Sequence, residues 1–161
     1  MTDLAASVIE TLGRRGWTLG VAESLTGGAV IAELVGVPGA SSVVLGGVVA
    51  YATPVKHTLL GVDESLLDRE GPVHPEVARQ MARGVRHAVS VDGIDAAVGV
   101  ATTGIAGPVS PDGQPVGTVH IAVATPERIE ARSFLFPGDR NRIRSASVRA
   151  ALEMLRELSR E

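Results

Sequence analysis

Two short apolar runs, Val43–Tyr51 and Ala96–Ala101, contain no charge and no proline, and each is flanked by segments with helical spacing. A strand exposed on one face alternates apolar and polar residues. A continuous run is expected of a strand covered on both faces. Such strands need helices above and below them, which limits the chain to a layered α/β arrangement. The remaining segments fit that frame. Thr2 is expected to cap a helix to about Arg15 that carries Leu4, Val8, Ile9 and Leu12 on one side and stops at Gly16. Trp17–Ala22 reads as a strand. Thr26 is expected to cap a helix over Gly28–Val35, closed by Gly36 and Pro38.

Thr53-Pro54 opens a short helix, since proline suits its first turn, and a further helical turn is expected near Asp63–Asp68. Pro75 opens a longer helix to about Val89. Val116–Ala124 and Ile129–Phe136, joined at Thr125-Pro126-Glu127, read as an antiparallel hairpin. Asp139 caps a final helix from Arg140 to about Leu158. The expected fold is one α/β domain over residues 1–161: a three-layer sandwich with a mixed, mostly buried β-sheet flanked by helices.

Composition narrows the function classes. The longest apolar run is far too short to cross a bilayer, and no basic-then-apolar leader opens the chain, so no membrane association and a cytoplasmic location are expected. A net charge of −3 argues against a nucleic-acid-binding face. Without cysteine there is no thiolate nucleophile or thiolate metal ligand, and the four histidines lack metal-site spacing, so no metal is expected. Aromatic residues are only 2%, leaving Val, Ala, Leu and Ile to build the core around many glycines. Of 15 basic residues every one but Lys56 is arginine, which marks Lys56 as a place where arginine did not substitute.

Neither a phosphate-loop nor a dinucleotide fingerprint is present, and Gly39-Ala40-Ser41-Ser42-Val43 lacks the second glycine and the following helix of a nucleophile elbow. Four polar or glycine-rich segments at strand–helix switches remain. Ser24, Thr26, Gly27 and Gly28 sit where free N–H groups at a helix start suit an anion. Thr103-Gly104 follows a buried strand. Ser41 or Ser42, with Lys56, could form a serine–lysine pair; spacing does not choose between the serines. Arg140, in the first turn of a helix, could grip phosphate. With Thr53 as the cap and Pro54 as the first helical residue, Lys56 falls at the third position of its helix, where unpaired N–H groups disfavour a cation. That placement and burial would both push its amine toward the neutral form a base requires.

Ala22-Glu23-Ser24-Leu25-Thr26-Gly27-Gly28, Val37-Pro38-Gly39-Ala40-Ser41, Leu45–Tyr51, Lys56, Leu59–Val62, Thr103–Pro108, Pro115–Val119 and Gly138-Asp139-Arg140 together resemble the C-terminal domain of the CinA family. The enzymatic members of that family are nicotinamide mononucleotide deamidases. The resemblance covers nearly the whole chain and implies a stand-alone form. It departs at Leu25, where the family often has cysteine, at Gln114, often lysine, and at Gly71–His74.

The resemblance implies a hydrolase (an amidase) of pyridine nucleotide salvage and NAD metabolism. It would convert nicotinamide mononucleotide to nicotinate mononucleotide and ammonia without a cofactor. Ser41 would be the nucleophile, chosen over Ser42 by the Pro-Gly-Ala-Ser pattern. Lys56 would be its base and Tyr51 would position or share the proton. Ser24, Thr26, Gly27, Gly28, Thr103 and Gly104 would bind substrate or oxyanion, and Arg140 the phosphate. A small-molecule nucleotide is then the partner, and self-association as a homodimer is expected. The alternative is a nucleotide-binding or scaffold protein of the same fold without hydrolytic activity.

Overall fold

The computed structural model describes residues 1–160. Helix α1 (Thr2–Arg15) leads into β1 (Leu19–Glu23), then α2 (Ala29–Val35) and β2 (Val44–Val49). Three helices follow, α3 (Thr53–Leu60), α4 (Glu64–Glu70) and α5 (Pro75–Ala88). The chain ends with β3 (Val98–Gly104), β4 (Thr118–Ala124), β5 (Ile129–Leu135) and α6 (Arg140–Leu158). The sheet order is β2-β1-β3-β4-β5. β2, β1 and β3 run parallel, while β3–β4 and β4–β5 pair antiparallel, so the sheet is mixed.

The two faces of the sheet differ in side-chain size, and this sets the layers. Leu19, Val21, Val98, Val100, Val119, Ile121 and Val123 face one core, completed by α1, α2 and α6. The opposite face offers Ala22, Ala101, Ala122 and Ala124 to the core built on α5 with parts of α3 and α4. Small residues there let α5 lie close. A methyl group at Gly99 would sit 1.9 Å from the Ala82 carbonyl oxygen of α5, and one at Gly84 1.7 Å from that of Leu60. Branched residues on one face and alanine and glycine on the other explain a full core with so few aromatics. Among the described residues no helix is long and apolar enough to cross a membrane.

Three local expectations change. Val43–Tyr51 is not covered on both faces: β2 is an outer strand, with Val49 47% exposed. An apolar run marks a strand but does not say which edge it occupies. Thr2 lies inside α1, behind the Met1 cap, and makes no capping bond. Thr26 does not cap α2 either. Its hydroxyl meets that of Thr102 at 2.8 Å, bracing the end of β1 against β3. Asp139 does cap α6, its carboxylate accepting from the Arg142 N–H.

Candidate active site

The carboxyl ends of the parallel strands β2, β1 and β3 lie side by side, the edge where open α/β sheets bind ligands. A cleft of about 420 Å3 opens there, lined by Ser24, Tyr51, Lys56, Thr103, Gly104 and Arg140 among others. Ser24 is the first residue beyond β1. Its N–H donates to the Thr102 carbonyl of β3, while the Glu23 carbonyl accepts from the Ala50 N–H at the end of β2. The serine is therefore held from both neighbouring strands.

Lys56, on α3, reaches into the same place. Its side chain is only 1% exposed, and its Nζ donates to Ser24 Oγ at 3.0 Å and to the Ala50 carbonyl at 2.6 Å. Burial pushes its pKa down to about 8. No carboxylate pairs with this amine among the described residues, so two hydrogen bonds, and no counter-charge, stand against the cost of burying it. The Ala52 cap makes Lys56 the fourth residue of α3, and desolvation rather than the helix terminus moves its pKa.

Ser41 is not part of this arrangement. It lies exposed in a single 3-10 turn, Ala40–Ser42, just before β2, in a shallow groove with Val35, Val37 and Val44. Lys56 follows β2. A six-residue strand spans about 20 Å, so residues at its two ends cannot share one site within a chain. Ser42 is exposed in the same turn, its hydroxyl donating to the Gly39 carbonyl. The serine that meets the lysine is Ser24, expected only as a binding residue. The usable signal was its place directly after a parallel strand.

The expected anion site at the start of α2 is filled from within. The Glu23 carboxylate accepts from the N–H groups of Gly28 and Val30 at 3.0 Å each and of Ile31 at 2.9 Å. Thr26 is fully buried, and neither it nor Gly27 and Gly28 is among the residues lining the cleft. Arg144 of α6 braces the same turn, donating to the carbonyls of Leu25 and Thr26. These two residues position Ser24 from behind, and neither was assigned a role from the sequence.

The rim is built as a chain of contacts. Arg140 Nη1 donates to the Gly107 carbonyl at 2.8 Å, and its Nη2 to Tyr51 Oη at 3.1 Å. Tyr51 is 62% exposed, so its ring stands at the mouth rather than beside Lys56 Nζ. The Thr103 hydroxyl donates to the Pro72 carbonyl at 2.7 Å, tying the β3 end to a wall formed by Pro72 and Val73. Leu25, Ile105, Val109 and Pro111 supply apolar lining. Those wall residues belong to loops whose folding back over the sheet has no periodic signature.

A buried lysine amine on a strand-end serine, in an open cleft with an arginine at its rim, forms a candidate nucleophile–base pair on an α/β sandwich. The comparisons agree with that architecture and place the chain in a family. Residues 1–159 match the CinA C-terminal domain, and the chain belongs to that family. It is 47% identical over 156 residues to a CinA-like protein of Frankia casuarinae, covering 97% of this chain and 35% of that protein. A CinA-like protein of an Anaeromyxobacter species is also 47% identical, over 96% of this chain and 37% of the relative. The chain thus spans about a third of the length of these curated relatives.

Among solved structures, the CinA superfamily protein of Klebsiella pneumoniae superposes with a TM-score of 0.91 at 30% identity, covering 98% of this chain and 96% of that one. The competence/damage inducible protein of Agrobacterium tumefaciens gives 0.90 at 35% identity, over 99% and 95%.

Proposed function

We propose that this chain hydrolyses the carboxamide of nicotinamide mononucleotide to nicotinate mononucleotide and ammonia, with Ser24 as nucleophile and Lys56 as base. The carrying observation is the 3.0 Å contact between Lys56 Nζ and Ser24 Oγ, made by an amine whose pKa is pushed down to about 8. A neutral amine can accept the hydroxyl proton as Ser24 Oγ attacks the carboxamide carbon. The same nitrogen then returns that proton to the departing amide nitrogen, releasing ammonia and leaving a nicotinoyl ester on Ser24. Water attacks the ester with Lys56 again taking the proton, and nicotinate mononucleotide leaves. Arginine could not serve here, because it stays protonated.

The choice of substrate rests on the family resemblance. The cleft supports it with room for a nucleotide, apolar walls for a flat ring and Arg140 at the mouth for a phosphate. Tyr51, hydrogen-bonded to Arg140, orients that guanidinium rather than sharing the serine proton. Thr103 and Gly104, the last two residues of β3, line the side of the cleft where we place the carboxamide oxygen. Ser41 has no catalytic part within one chain.

We further propose that two copies associate through β2. No charge occurs between Val37 and Val55, whereas the opposite edge, β5, carries Glu130 and Arg132 in a charged network with Glu157. Unprotected apolar edges invite pairing. The functional test is ammonia release from nicotinamide mononucleotide by the purified chain. Binding of the nucleotide without ammonia release would favour the non-catalytic alternative.

A further inference from the structure

Asp112 is the one acidic residue lining the cleft, and the proposed reaction gives it no task. Its carboxylate is held in place. Oδ1 accepts from Ser110 Oγ at 3.0 Å and from the Gln114 N–H at 3.2 Å, and Oδ2 accepts from Gln114 Nε2 at 2.9 Å. Gln114 Nε2 also donates to the Val73 carbonyl at 3.0 Å, fastening this loop to the wall opposite β3. Oδ2 would lie 3.9 Å from a methyl group at Gly71, which places the carboxylate against the Gly71–Val73 side.

Arg140, by contrast, is fastened to Tyr51 and Gly107. Apart from the Lys56 amine at its floor, the cleft therefore presents one fixed anion and one fixed cation at its walls, from separate supports. Burial alone would raise the Asp112 pKa, but the bonds from Gln114 and Ser110 outweigh it and hold the carboxyl below its ordinary value. No cation is ion-paired with Asp112 among the described residues, and a carboxylate with three accepted bonds keeps a free lone-pair direction. Val109 and Pro111 border it, and apolar neighbours strengthen the field of a charge at the mouth of a cleft.

We propose that Asp112 is a specificity-determining residue that selects a cationic, pyridinium-type ring over a neutral ring of the same shape, while Arg140 takes the anionic end of the same molecule. This inference rests on the cleft being the amidase site proposed above. A pyridine mononucleotide in its oxidised form carries that pair of charges, positive on the ring and negative on the phosphate. Its reduced form keeps the carboxamide, sugar and phosphate, and the hydride added to the ring removes the ring's positive charge.

The test compares dissociation constants of oxidised and reduced nicotinamide mononucleotide, by titration calorimetry at low salt, on the full chain carrying Ser24→Ala so that nothing turns over. We expect the oxidised form to bind roughly five- to tenfold more tightly, as for one partly screened charge pair. Adding Asp112→Asn should bring the ratio close to one with little change for the reduced form, and Asp112→Glu, which keeps the charge, should retain a preference for the cation. Equal affinities in the Ser24→Ala chain, or a preference that survives Asp112→Asn, would overturn the proposal. Ammonia release by the parent is measured separately. Its absence would count against the amidase assignment, while the affinity ratio still decides the role of Asp112.

Discussion

Replacing Lys56 with methionine should make the protein more stable and inactive, and the size of the effect should depend on pH. Moving the lysine pKa from 10.5 in the unfolded chain to about 8 in the folded one corresponds to about 3 kcal/mol of unfavourable folding energy. The sign follows from proton counts. Between those two values the unfolded chain binds more protons than the folded one, so the parent gains stability as pH rises through about 8. Below that value the full cost is present. Methionine has similar length and no charge to desolvate, but it leaves the Ala50 carbonyl and Ser24 hydroxyl without the amine, at about 1 kcal/mol each. A net gain of about 1 kcal/mol at pH 7 is expected. More diagnostic is the difference between parent and Lys56→Met in urea denaturation, which should shift by about 2 kcal/mol in favour of the parent between pH 7 and pH 9.5. A difference that stays constant over that range would refute the claim that burial has depressed this amine.

Glu23→Ala should lower stability by about 3 kcal/mol, read as a fall in thermal midpoint, because three N–H groups at the start of α2 lose one carboxylate. A change below 1 kcal/mol would mean that water replaces it without loss. Arg140→Ala should raise KM for nicotinamide mononucleotide roughly tenfold and that for the riboside, which lacks the phosphate, far less; equal effects would remove Arg140 from phosphate binding. Sedimentation velocity should show the parent as a dimer and Val49→Lys as a folded monomer, since Val49 is half-exposed on the open strand. A monomeric parent would contradict pairing through β2.

The architecture was legible because its strongest signals are local. Ala96–Ala101 stands out as an apolar run and overlaps β3, α5 and α6 carry periodic apolar faces, and Asp139 does cap α6. The singularity of Lys56 was equally plain in the composition. The partner of that lysine was harder to identify, because the Pro-Gly-Ala-Ser pattern pointed to Ser41 and left Ser24 as a binding residue. Chain direction reverses the order: β2 carries Ser41 and Lys56 to opposite ends of the sheet, while the parallel return through β1 brings Ser24 beside Lys56.

Thr26 looked like a helix cap because threonine often is one, yet a cross-strand hydroxyl contact took its side chain and Glu23 took the N–H groups. The walls contributed by Pro72, Val73 and Asp112 come from loops whose position depends on tertiary packing alone.

The most direct test of the Ser24–Lys56 pair is the rate of ammonia release from nicotinamide mononucleotide by parent, Ser24→Ala and Ser41→Ala proteins at pH 8.5, where most of the Lys56 amine is neutral. Ser24→Ala should lose at least a thousandfold in kcat with its fold intact, and Ser41→Ala should stay within a fewfold of the parent. Activity retained without the Ser24 hydroxyl, or lost only with that of Ser41, would contradict the assignment.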